Sequence, residues 1–140
     1  MSLYLDTSAL VKLYVKEAHS AHVRRAVERA DVVASSRVAY PEARAALARR
    51  RREGAFTERG LRSALAALDR DFGSIVVLEL SGRLAREAGE LAERRALRGF
   101  DAVHLVSAIE LGRLTGLVPA FLAYDQRLVD AARDEGLETP

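Results

Sequence analysis

No cysteine occurs in the 140 residues. This excludes a disulfide framework, thiolate catalysis and any zinc site built on cysteine. It fits a reducing compartment, and a cytoplasmic location is the expectation. No apolar run approaches the roughly 20 residues that cross a bilayer, so no membrane partner is expected. No basic segment leads into an apolar stretch and cleavage site at the start, so no secretory signal is expected. Lysine is scarce: Lys12 and Lys16 are the only two, and arginine supplies nearly all the remaining positive charge. Linkers, low-complexity segments and internal repeats are also missing, so a single domain over residues 1–140 is expected.

What is present reads as a globular chain. The 49% apolar residues are enough for a buried core, and the 30% charged residues are enough for a wetted surface. Net charge is +2 and the pI near 9.3, a balance compatible with a phosphate-rich partner without requiring one. Apolar strand-like runs at Ser2–Leu5, Val32–Ser35, Ile75–Leu80 and Ala120–Tyr124 alternate with helical patterns. Leu10, Val11, Tyr14 and Val15 face one way on a first helix, and Ala21–Ala30 is a second. A third ends at Glu53, before Gly54, and begins either at Ser36 with a bend at Pro41 or near Pro41 itself. Thr57 caps a fourth, with Leu61, Leu65 and Leu68 on one face. Ser81 caps a fifth that reaches Arg95. Gly99 breaks the chain before a sixth, and Gln126–Asp134 is the last, with a short strand to follow. The alternation predicts an α/β fold, a parallel sheet covered on both faces.

Against this pattern four acidic residues stand out: Asp6, Glu42, Asp101 and Asp125. Singly, each has an ordinary explanation. Asp6, Asp101 and Asp125 precede helices, where aspartate is a favoured N-cap. Glu42 is a first-turn glutamate that complements the helix dipole. As a set they point further. In an open parallel sheet, ligands bind outside the carboxyl ends of the strands, so carboxylates distant in sequence can meet at one edge. Two like charges about 4 Å apart cost roughly 4 kcal/mol at an effective dielectric of about 20. A hard divalent cation, which takes oxygen ligands, removes that cost.

The segments around these acids carry a resemblance. Tyr4-Leu5-Asp6-Thr7-Ser8-Ala9-Leu10-Val11-Lys12-Leu13-Tyr14 resembles the opening of PIN-domain ribonucleases, and most of all the VapC-type toxins of bacterial and archaeal toxin–antitoxin systems. Tyr40-Pro41-Glu42-Ala43-Arg44-Ala45-Ala46-Leu47 is similar to their glutamate segment. Gly99-Phe100-Asp101-Ala102-Val103-His104-Leu105 and Leu122-Ala123-Tyr124-Asp125-Gln126-Arg127-Leu128 are similar to their third and fourth acidic motifs. The family usually carries Thr or Ser two residues before the last aspartate; Ala123 stands there in this chain, and the hydroxyl is missing.

The resemblance implies a three-layer α/β/α fold with a central parallel sheet of four to five strands. It implies an endoribonuclease dependent on Mg²⁺, for which Mn²⁺ can substitute. The metal would lie between Asp6 and Asp101, with Glu42 and Asp125 completing the acidic pocket partly through waters. The implied partners are a VapB-type antitoxin whose C-terminal segment covers the cleft, an RNA substrate such as tRNA or rRNA, and a second copy of the chain. The helices over 37–53 and 57–72 would serve the dimer and the antitoxin groove.

The remaining polar residues have two readings each. Ser8 either orients Asp6 or touches a phosphate, or it caps the helix. His104, three residues after Asp101 on the same helix face, reads as a hydrogen-bonded supporting histidine. His19 and His22 read as surface residues. The run Arg49–Arg52 reads as a solvated helix end that complements the dipole, with contact to an RNA backbone as the sharper alternative. A haloacid-dehalogenase-type phosphatase would want a second aspartate at the position of Ser8 and is disfavoured. A PIN-fold nuclease or RNA-binding scaffold outside a toxin–antitoxin system is the other alternative.

Overall fold

The computed structural model describes residues 1–140. Four strands, β1 (Ser2–Leu5), β2 (Val32–Ser36), β3 (Val76–Leu78) and β4 (Ala120–Leu122), form one parallel sheet in the order β3-β2-β1-β4. Leu3 sits opposite Val33 on one side and Ala120 on the other, so β1 is central. All four of its residues are buried, as expected for a strand covered on both faces.

Seven helices cover the sheet: α1 (Thr7–Val11), α2 (Ser20–Arg29), α3 (Ala39–Arg52), α4 (Glu58–Phe72), α5 (Gly82–Arg95), α6 (Gly99–Thr115) and α7 (Gln126–Asp134). The period-2 alternation of strand side chains sorts the core into two layers. Leu3 and Leu5 pack with α1, α3 and α4, through residues such as Leu10, Leu47 and Leu68. Tyr4 and Phe121 pack on the other face with α5, α6 and α7, through Leu91, Leu105 and Leu128. This is the expected three-layer α/β/α arrangement, with four strands. The expected last strand reduces to a single bridge between Ala120 and Glu138.

Element order follows the sequence reading, and several boundaries differ for physical reasons. α3 starts at Ala39, which places Pro41 in the first turn, where its missing N–H costs nothing and no bend is needed. The strand expected over Ile75–Leu80 is shorter and lies at the sheet edge. It pairs only with β2, and Val76 is 43% exposed. β4 ends at Leu122, because Ala123 and Tyr124 leave the sheet to carry Asp125 to the start of α7. Gly99 does not break the chain; it is the first residue of α6, whose residues Ala102–Ala108 are all buried. Gly116, at φ +73°, ends that helix in the left-handed conformation that glycine adopts without strain.

Candidate active site

The strand order creates a place for a ligand. The chain leaves β1 toward β2 but leaves β4 toward the Glu138 bridge, on the opposite side. Between β1 and β4 the connections diverge and open a crevice at the carboxyl ends. Asp6 follows β1 and Asp125 stands three residues past β4. Glu42 enters from the first turn of α3 and Asp101 from the first turn of α6. All four line one cleft of about 480 Å³, together with Thr7, Ser8, Lys12, Glu17, Arg49, Arg50, Arg98 and His104.

The capping explanation holds for two of the four acids. Asp6 Oδ1 accepts from the Ala9 N–H at 2.9 Å and from the Ser8 hydroxyl at 2.7 Å. Asp125 Oδ1 accepts from the Leu128 N–H at 3.1 Å. In each case the second oxygen is left for other work. Asp101 is no cap: Arg98 holds that position and Asp101 is the third residue of α6. Its carboxylate takes only a loose approach from Arg98 Nε at 3.8 Å. Glu42 Oε1 accepts from the Thr7 hydroxyl at 2.6 Å and meets His104 Nε2 at 2.9 Å.

These surroundings split the acids electrically. Burial pushes the Asp6 carboxyl above its ordinary range; the Ala9 N–H and Ser8 hydroxyl offset part of this, and Asp101 adds to it. Burial also raises Asp101, eased by Arg98 and reinforced by Asp125 and Glu42. Glu42 goes the other way. Burial alone would raise it, but the hydrogen bonds from His104 and Thr7 prevail and hold it low. Acids pushed apart in this way, inside one cleft, mark a functional site more often than a structural one.

One wall of the cleft is basic. Glu17 holds Lys12 at 3.2 Å and Arg50 at 3.0 Å. Lys12 also lies over the ring of Tyr124, 4.8 Å from its centroid. The solvated-face reading of the arginine run therefore holds only in part: Arg49 and Arg50 line the cleft, while Arg51 pairs with Glu58 outside it. Helical spacing carried this signal, since Glu42, Ala46, Arg49 and Arg50 lie at i, i+4, i+7 and i+8 on one face. Thr7, Lys12, Glu17 and Arg98 had no signal strong enough to single them out. His19 is exposed and His22 half-buried, as read, and both meet Tyr124. His19 stacks on Tyr124 and His22 Nδ1 meets its hydroxyl at 2.8 Å.

The donor set suits a hard cation. It is all oxygen, and Asp6 Oδ2, Glu42 Oε2 and both Asp101 oxygens take no hydrogen bond from the protein. The acids do not form a closed cage: nowhere do three His, Cys, Asp or Glu side chains stand together as a group able to hold a metal ion.

Comparison with known proteins agrees with this picture. The sequence matches the PIN domain over residues 3–134. Ribonuclease VapC49 of Mycobacterium tuberculosis is 41% identical over 138 residues, covering 96% of this chain and 91% of that protein. The crystal structure of the sarcin-ricin loop cleaving toxin VapC20 of Mycobacterium tuberculosis superposes with a TM-score of 0.65 at 21% identity, covering 92% of this chain and 94% of that one. VapBC2 from Rickettsia felis, bound to a DNA fragment from its promoter, gives 0.66 at 14% identity, covering 100% and 98%. At such identities the two structures speak for the fold. The chain belongs to the PIN-domain family, on its VapC branch.

Proposed function

We propose that this protein is a divalent-metal-dependent endoribonuclease that hydrolyses RNA phosphodiester bonds and serves as the toxin of a toxin–antitoxin pair. The observation that carries the reading is the convergence of four carboxylates in one cleft at the β1/β4 crevice, in a chain 41% identical to a protein named as a ribonuclease. Asp6 and Asp101 would hold Mg²⁺, or Mn²⁺ in its place, with Glu42 and Asp125 acting through water. Such an ion supplies an acidified water and charge neutralisation at the phosphate. The protein's own part is to place these groups. Ser8 and the Ala9 N–H fix Asp6 Oδ1, which turns Oδ2 outward. Glu42, standing off the metal, would accept the proton of the attacking water. Lys12, Arg49, Arg50 and Arg98 supply the cationic contacts that an RNA backbone requires.

The chain acts as one domain in the cytoplasm, where its RNA is. Its partners are a VapB-type antitoxin over the cleft and a second copy of itself, through α3 and α4. Purified protein free of antitoxin should cut a mixture of tRNA and rRNA with Mg²⁺ or Mn²⁺ and stop when the metal is chelated. Persistent cleavage in chelator, lost in no acid variant, would overturn the metal mechanism. RNA binding without cleavage, across tRNA and rRNA with either metal, would favour the scaffold alternative.

A further inference from the structure

A line of buried hydrogen bonds runs from the middle of the sheet into the cleft. Tyr4 is fully buried in β1, its ring stacked on Phe121. Its hydroxyl lies 2.8 Å from His104 Nδ1. His104, 2% exposed, turns its other nitrogen, Nε2, to Glu42 Oε1 at 2.9 Å. Thr7 Oγ1 reaches the same carboxylate oxygen at 2.6 Å and stands 3.1 Å from Nε2. The line joins the two helical layers across the end of β1, since α6 carries His104 and α3 carries Glu42.

The chemistry fixes where the protons sit. An ionised Glu42 only accepts, so His104 Nε2 must carry a hydrogen and donate it. A neutral ring protonated at Nε2 has a bare Nδ1, so the Tyr4 hydroxyl must donate to it. Thr7 donates as well, which leaves Glu42 Oε1 with two donors and Oε2 with none. The end torsion of a glutamate is broad and two-fold, so a carboxylate without such partners would exchange its two oxygens freely.

We propose that Tyr4, His104 and Thr7 form a positioning clamp that pins Glu42 by Oε1, so that Glu42 works on the contents of the cleft through Oε2 alone. The three are positioning residues: each acts through Glu42. The proposal rests on the nuclease reading for its effect on cleavage, but its geometry can be tested without it.

The test joins one spectroscopic and one kinetic readout. Long-range ¹H–¹⁵N NMR should find a hydrogen on His104 Nε2. A bare Nε2, with the hydrogen on Nδ1 alone, would overturn the clamp, whether or not any RNA is cut. In kinetics, His104→Gln keeps an acceptor for Tyr4 and a donor for Glu42, whereas His104→Leu keeps neither. The leucine variant should lose about 10- to 100-fold in kcat, the usual cost of removing a group that orients an active-site ligand, with KM unchanged. The glutamine variant should recover most of that loss. Thr7→Val, of equal size at a half-buried position, gives a second arm should His104→Leu fail to fold, and should lower kcat about tenfold. Folded leucine and valine variants that match wild-type kcat would overturn the proposal. So would a glutamine variant no better than a folded leucine one. Absence of cleavage by wild type would instead count against the nuclease reading, and the tautomer would still decide the clamp.

Discussion

Carboxylates on the outer face of α5 and α6 and the two aspartates Asp6 and Asp101 at the carboxyl edge of the sheet are treated in opposite ways by the same chain. On the outer face, Arg83 meets Glu110 at 2.6 Å and Glu87 at 3.1 Å, and Arg113 reaches both at 3.0–3.1 Å. Arg113 beside Glu87, and Arg83 beside Glu110, hold these acids below the usual carboxylate range. In the cleft, Arg98 is the one arginine within 4 Å of Asp101 or Asp125, at 3.8 and 3.9 Å, and none comes so near Asp6. Asp6 and Asp101 are pushed up instead. The difference is not a shortage of cations. Lys12 and Arg50 border the same cleft, yet both are turned to Glu17. On the outer face arginines neutralise the acids, and in the cleft they leave Asp6 and Asp101 raised.

The sharpest way to break this contrast is to neutralise one acid from each set. Asp101→Asn keeps the side-chain size and disturbs no cap. Cleavage of RNA should fall on the order of 10²–10³-fold, as when a charged group facing the transition state is lost, and expression should no longer arrest growth. Glu110→Gln, made in parallel, should leave cleavage unchanged and cost under about 1 kcal/mol of stability, in line with surface ion pairs. A thermal melt of each variant checks folding. Equal cleavage by folded Asp101→Asn and wild type would remove the cleft from the mechanism.

Metal should act on one set alone. Added Mn²⁺ at one hundred times its Kd should stabilise wild type by about 2.7 kcal/mol, read as a rise in Tm. Asp6→Asn should lose most of that rise and Glu110→Gln none of it. A cation that stabilises all three equally is binding elsewhere.

The basic wall sharpens the comparison from the other side. Lys12 is only 12% exposed, held by Glu17 and by the Tyr124 ring. Lys12→Met keeps the apolar stem and removes the charge. KM for RNA should rise about tenfold at low salt, and the gap should narrow as salt rises, because phosphate contacts act through counterion release. A gap independent of salt would mean that Lys12 supports the fold of the wall and not the substrate.

Much of this was legible in the chain before any coordinates. Apolar runs and cap residues gave the element order, since Thr57 and Ser81 cap α4 and α5 as read. Asp6, Glu42 and Asp125 could be picked out because strand ends face the crevice in any fold of this kind, whereas Asp101 follows no strand and stood out through its segment, Gly99–Leu105. What stayed hidden depends on tertiary placement. Ile75–Leu80 is as apolar as a central strand, and only the topology makes it a short edge. Asp101 looks like a cap until α6 is seen to begin two residues earlier. Tyr4 reads as plain core, because nothing local says that a histidine a hundred residues away will meet its hydroxyl. Glu17 and Lys12 look like an ordinary surface pair until Arg50 arrives from another helix.

The smallest expected effect concerns pH and the stability of the metal-free protein, and it follows from the direction of the Asp6 shift. Burial raises the folded-state value of Asp6 above that of the unfolded chain. Its contribution to stability is therefore fully present below the unfolded value, about 3.9, and is lost as pH rises through the raised folded value. At neutral pH an ionised Asp6 without a cation weakens the fold. Asp6→Asn cannot ionise, and its side-chain oxygen still accepts from Ala9 and Ser8. The variant should match wild type near about pH 3.5 and exceed it by roughly 4 °C in Tm near neutrality, a shift worth about 1 kcal/mol in a protein of this size. Glu42 is held low and so contributes in the opposite sense, its stability lost as pH falls through its folded value. It is common to both proteins and drops out of the difference. Saturating Mn²⁺ should reverse the order, because wild type then gains the binding energy that the variant forgoes. Melts in chelator across this pH range give the answer. An asparagine variant that is less stable than wild type at neutral pH would mean that the cleft already satisfies Asp6, as the outer face satisfies Glu110, and the contrast between the two regions would fall.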